Sequence, residues 1–202
     1  MVAAYRELGA RACHPIYNAV DPETHHPVPP EPRFDGCLSF LGNRLPDREE
    51  RFDEVRPAIE LPERRFLVGG SGWQDRELPD NVEPLGHVPT RDHNAFNTTP
   101  LAVLNVNRSS MARFGFSPAT RVFEAAGAGA CLISDAWPGL DEFLEPEREV
   151  LVAEDGAEVA ELLDGLTPDR SRRIGTAARA RVLAEHTCRH RASEVERLLT
   201  GR

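Results

Sequence analysis

From Asp35 onward, short apolar runs alternate with charged stretches of helical pattern, and this alternation leaves the chain few ways to fold. Residues 37–42, 65–70, 81–86, 101–106, 131–134 and 149–152 read as strands, the third of them weakest. Between and after them, residues 48–61, 90–97, 120–126, 138–143, 157–166, 167–185 and 188–199 read as helices. The first of these carries Phe52, Val55 and Ile59 at helical spacing. Strands this short and this apolar are buried on both faces, which predicts an α/β fold: a Rossmann-like parallel sheet with helices on both faces. Several expected strands end in Gly, Asn, Asp or Ser. Ligands in such sheets sit beyond the carboxyl ends of the strands.

Residues 1–35 have a different pattern. The stretch 5–12 fits the end of a helix, and five prolines between Pro22 and Pro32 predict an extended connector. The chain therefore divides into a tail and linker, 1–35, and an α/β domain, 36–202. His25 and His26, inside the proline stretch, are expected to face solvent.

The composition excludes several functions. A net charge of −9 argues against a general nucleic-acid or membrane-surface binder. No run of 18 apolar residues predicts a membrane span, and no signal-peptide pattern opens the chain, so a cytoplasmic protein is expected. The four cysteines are scattered and read as free thiols. All 24 basic residues are arginine, which rules out a G-x-x-x-x-G-K-[ST] phosphate loop, and no G-x-G-x-x-G fingerprint occurs. Any charged phosphate clamp must be arginine or histidine. His186, Cys188 and His190 fit no standard zinc spacing, so no metal is expected there. Ser109 and Ser110 lack the G-x-S-x-G elbow of a hydrolase.

The stretch 113–124 carries the strongest chemical suggestion. Gly115, Phe116 and Ser117 form a loop, Ser117 can cap a helix, Pro118 suits a first helical position, and Arg121 and Glu124 share a helix face. A loop opening into a helix offers free N–H groups and a helix dipole to an anion, with Arg113 nearby. In that reading phosphate sits at the helix start and ribose on Glu124. The alternative is an ordinary capped helix with an Arg121–Glu124 surface pair. Gly42, Asn43 and Arg44, after the first strand, suit close approach to a diphosphate, or form a plain turn. Asp135, after the fifth, suits a hydroxyl, or the loop around it caps the next helix.

In this order and spacing, the segments resemble the carboxyl-terminal domain of a GT-B glycosyltransferase, and most nearly the CgeB-type spore-maturation group. The likeness is carried by 38–43, 81–89, 105–108, 113–126, 132–142 and 185–191. It implies a donor domain that binds a nucleotide-diphosphate sugar without a cofactor or bound metal. Glu124 would hold the ribose, and 115–120 with Arg121 and Arg113 the diphosphate. Gly42, Asn43 and Arg44 would approach the phosphates, and His87 and Val88 would pack on the base. It implies a transferase whose catalytic residue is unassigned. Retaining relatives carry an E-x7-E pair, and Phe116 stands where the first glutamate would be. Because the acceptor side belongs to another domain, the resemblance also implies an N-terminal-domain-like partner or self-association. The alternative is a non-catalytic nucleotide-binding module.

Overall fold

The computed structural model describes residues 2–57 and 60–201. Six strands form one wholly parallel sheet: β1 (Leu38–Leu41), β2 (Phe66–Gly69), β3 (Val82–Gly86), β4 (Ala102–Asn105), β5 (Leu132–Asp135) and β6 (Leu151–Ala153). Their spatial order is β3-β2-β1-β4-β5-β6. The order reverses between β1 and β4, so a crevice opens at their carboxyl ends. The expected α/β architecture is what the chain adopts.

Alternation along the strands sends side chains to two cores. Leu38, Phe40, Val68, Leu104 and Ile133 meet Phe52, Trp73, Leu163 and Ile174 on one face. Val103 and Leu132 meet Phe123, Ala125, Trp137, Phe143 and Val182 on the other. A smaller cluster of Phe34, Leu67, Val88 and Phe96 covers the β2 side. All six strands thus carry apolar residues on both faces, as a parallel sheet requires.

The helices are α1 (Val2–Glu7), α2 (Pro46–Val55), α3 (His93–Thr98), α4 (Ser109–Phe114), α5 (Thr120–Ala128), α6 (Gly156–Gly165), α7 (Pro168–Glu185) and α8 (Cys188–Thr200). The helix end expected over 5–12 stops at Glu7, before Gly9 at a φ of 93°. Three others differ from expectation for local reasons. α2 starts earlier, with Pro46 in its first turn, and stops at Val55 because Pro57 forces Arg56 into an extended conformation (ψ 113°). Ile59 lies outside the described residues, as does the side chain of Val55. α4 was unforeseen; it ends at Gly115, whose φ of 62° breaks the turn. The helix expected over 138–143 is a 3-10 turn at Leu140–Glu142. Gly139 holds a φ of 88°, and the Pro138 carbonyl accepts from Phe116 N at 2.7 Å instead of serving a helix.

Side-chain caps start the last three helices: Asp155 for α6, Thr167 for α7 and Thr187 for α8. Thr187 and His190 make a reciprocal capping box. His186 is buried between Phe123 and Phe143 and accepts from the Arg191 guanidinium. Burial, and then the Arg191 charge, push its imidazole down to about 4. The 186–190 stretch therefore serves helix starting and packing.

The proline-rich segment lies against the domain. Val20 pairs with Thr187 in an isolated parallel bridge, and Val20 N donates to His186 O at 2.9 Å. Asn94 Nδ2 donates to Thr24 O at 2.9 Å, and Glu31 N to Thr99 Oγ1 at 2.9 Å. His26 is exposed as expected. His25 is not: its side chain is only 11% exposed and faces Glu124.

Candidate functional site

A cleft of about 400 Å³ opens over the carboxyl edge of the sheet. It lies where β1 and β4 part, with the start of α5 on one side and the turn after β3 on the other. Gly42, Asn43, His87, Val88, Thr120, Arg121 and Glu124 line it, as do Arg48, Arg108 and His93.

The floor is the turn after β1, which the neighbouring strand locks in place. Trp73 Nε1 donates to Gly42 O at 2.7 Å, and Asn43 Oδ1 accepts from Ser71 N at 3.0 Å. Gly70 has a φ of 120°, and a Cβ there would lie 2.9 Å from Asn43 N, so only glycine lets the two turns nest. Gly42 is needed for space. A Cβ there would sit 2.6 Å from Arg121 Nη2 and 3.0 Å from Arg48 Nη1.

Those two guanidiniums are buried beside the turn. Arg121 is 5% exposed; it donates to Leu41 O through Nε at 2.7 Å and to Asn105 Oδ1 at 3.0 Å, tying β1 to β4. It also stacks over Phe40, 4.4 Å from the ring centroid. Burial, with Arg48 adding like charge, pushes its guanidinium down to about 9, still charged at neutral pH. Arg48 Nη1 donates to Asn43 O at 2.8 Å, while its buried Nε has no partner among the described residues. Burial, then the charge of Arg108, lowers Arg48 as well. Two buried cations and a third at the rim, with Glu124 the one carboxylate among the described residues that line the cleft, suit an anionic ligand.

The α5 start differs from its expected form. Ala119, not Ser117, precedes the helix, and no side chain caps it. The uncapped first turn faces the cleft at Thr120, and Glu124 lies four residues on, about 6 Å along the axis. The Arg121–Glu124 surface pair does not form, because Arg121 turns inward to the strand ends.

Several expected site residues lie elsewhere. Arg44 pairs with Glu49 (2.8 and 3.1 Å) and leaves the cleft. Arg113, on exposed α4, stacks loosely on Phe114. Gly115, Phe116 and Ser117 line a second cavity of about 530 Å³, together with Val2, Pro15 and Tyr17. Phe116 holds a φ of 46°, and its ring packs against Gly139. Asp135 is buried and bound by Arg51 at 2.6 Å and by Asn107 N at 3.2 Å, so it anchors loops inside the protein instead of meeting a ligand. Burial raises its carboxyl above the usual range, against the pull of Arg51.

Arg48, Arg108 and His93 were not foreseen. Arg48 reads as an ordinary helix-face arginine, but the turn before α2 is so short that the first helical turn overhangs the sheet edge. Arg108 falls three residues past β4, just as Arg44 falls three past β1, and that position was the available signal. His93 Nε2 donates to Val88 O at 3.1 Å, which fixes its proton on Nε2. No helix among the described residues is long and apolar enough to cross a membrane, and none of their His, Cys, Asp and Glu side chains cluster to hold a metal.

The fold and cleft define a Rossmann-like α/β domain with an anion-attracting crevice at its switch point. A sequence model of the family described as glycosyl transferase-like matches residues 48–197, and the chain belongs to that family. No curated protein sequence matches it. Among solved structures, sucrose-phosphate synthase from Thermosynechococcus elongatus is similar at 18% identity, with a TM-score of 0.71, over 98% of this chain and 55% of that one. HepE from Anabaena, in complex with UDP-glucose, gives 15% identity and a TM-score of 0.70 over 99% and 61%. The C-terminal domain of a glycosyl transferase group 1 family protein from Francisella tularensis gives 12% and 0.61 over 84% and 100%. These likenesses establish the fold as that of a GT-B Rossmann-like domain. The chain spans a little over half the length of the first two proteins.

Proposed function

We propose that this chain is the donor-binding half of a glycosyltransferase and takes a nucleotide-diphosphate sugar in the cleft over β1, β4 and α5. The observation that carries this is the order of groups along one wall. The locked Gly42–Asn43 turn, Arg48, Arg121 and the uncapped start of α5 come together, with the Glu124 carboxylate about one helical turn further on. Cations and free N–H groups suit a diphosphate, and a carboxylate at that spacing suits the ribose hydroxyls. His87 and Val88, at the end of β3, border the space left for a base. The family and the likeness to HepE, solved with UDP-glucose, support this reading.

The group offsetting the leaving diphosphate would then be arginine and helix terminus, with no metal or cofactor required. Transfer requires an acceptor-binding wall facing the cleft. The second cavity is edged by exposed Phe114 and Phe116, and Tyr5 and Leu8 on the same amino-terminal segment are also exposed. We read this face as the seat of an N-terminal-domain-like partner or a second copy. The CgeB-type likeness rests on the motif order alone, and a cytoplasmic site follows from the donor proposed.

Calorimetry with UDP, GDP, ADP and dTDP tests the reading. At least one should bind, and Glu124→Ala should weaken it about tenfold or more. Well-folded protein that binds none of the four would sink the idea.

A further inference from the structure

Glu124 has a neighbour that the cleft itself does not explain. His25, from the proline-rich segment, places Nε2 4.0 Å from Glu124 Oε1, with the two side chains 11% and 29% exposed. That gap is about 1 Å beyond a hydrogen bond. The histidine is held from several sides. His25 N donates to Asp21 O at 2.8 Å, and Asp21 in turn accepts from Thr24 Oγ1 at 2.8 Å. Asn94 of α3 grips Thr24 O, and Val20 is bridged to Thr187. Beneath it, a Cβ on Gly127 of α5 would run into Val20 and come within 3.2 Å of His25 O. The segment therefore rests directly on the helix that carries Glu124.

The charged and titratable groups facing His25 are Glu124 on α5, His93 on α3, and Asp21 and His26 on its own segment. Burial, the largest influence, favours the neutral ring over the Glu124 charge that would protonate it. A neutral ring beside a carboxylate carries its proton on the facing nitrogen, Nε2. The other nitrogen, Nδ1, is buried with no hydrogen-bond partner among the described residues. As a bare acceptor it sits there at less cost than a buried N–H would. A neutral donor has a use that a cation lacks: it orients one carboxylate oxygen without cancelling the charge the ribose hydroxyls need.

We propose that His25 is a positioning residue for Glu124, closing the remaining gap as a nucleoside binds and turning the carboxylate's free oxygen toward the ribose hydroxyls. This rests on the donor-site reading above. It makes the 18–32 segment part of the binding site and gives that segment a direct contact with nucleoside occupancy. A histidine that only fills space between the segment and α5 would not respond to whether a ribose is present.

The experiment compares UDP with 2′,3′-dideoxy-UDP (GDP and its dideoxy form if the panel favours guanine), with inorganic pyrophosphate as a ribose-free probe. Affinities are measured by calorimetry for the wild type, His25→Gln, His25→Phe and Glu124→Ala. The wild type should prefer the ribose form about tenfold. Gln keeps a donor and should retain most of that preference. Phe keeps the packing without the donor and should reduce it to about threefold or less, with pyrophosphate binding unchanged. A full preference in His25→Phe overturns the proposal. If Glu124→Ala also keeps the full preference, the ribose contact itself is wrong; if Glu124→Ala abolishes it and His25→Phe does not, only the role of His25 falls. A wild-type readout stands apart from folding of the variants. The imidazole NMR signals of His25 should move with UDP and not with pyrophosphate, and no movement with UDP overturns the proposal.

Discussion

The three arginines of the cleft have different jobs, and the difference is measurable. Arg121 is buried and bonded to both β1 and β4, so it is part of the scaffold as much as of the site. Arg121→Ala leaves Leu41 O and Asn105 Oδ1 without their donors and should cost about 3 kcal/mol or more of stability, read by denaturant unfolding. Arg108 is exposed at the rim, and its side chain makes no hydrogen bond or ion pair among the described residues, although its charge reaches Arg48. Arg108→Ala should leave the unfolding midpoint within error and weaken nucleoside diphosphate binding about tenfold, with a reduced salt dependence. Equal losses of stability in the two variants would contradict this division.

At the scale of elements, α7 packs closely on the turn that ends α5. A Cβ on Gly175 would collide with Gly129 O and lie 2.9 Å from the carbonyl carbon of Ala130. Because the obstacle is backbone, it cannot swing aside. Gly175→Ala should destabilise the fold by about 2–3 kcal/mol, despite alanine's better helix propensity, and thermal melting would show it. That propensity conflict also shows what the sequence reveals. The strands were legible because Leu38–Phe40 and Leu132–Ile133 have no polar way to be exposed, and the long helices because their caps are local. α4 was not, since six residues with no buried side chain leave no periodic mark. The site was half legible. Gly42, Thr120 and Glu124 follow strand ends and helix starts, which sequence order preserves. Arg44 and Arg113 were misplaced and Arg48 missed, because which arginine turns inward depends on where the sheet edge runs.

At the scale of the whole molecule, exposed aromatic side chains edge the second cavity. Phe114 is 60% exposed and Phe116 47%, beside a cavity larger than the cleft over β1 and β4. Exposed aromatics gathered this way favour association. Sedimentation at micromolar concentration should show self-association or a co-purifying partner, and Phe114→Asp with Phe116→Asp should abolish it; a wild-type monomer would remove the proposal.

The bridge between Val20 and Thr187 joins stretches far apart in the sequence, and that separation has a kinetic consequence. Arg191 Nε reaches Tyr17 O at 3.3 Å across 174 residues of sequence, and Val20 O accepts from Cys188 N at 2.9 Å. Closing a loop of that length costs more chain entropy than pairing neighbouring strands, so these contacts should form after the sheet has assembled. The segment carrying His25 is thus a latch, fastened last.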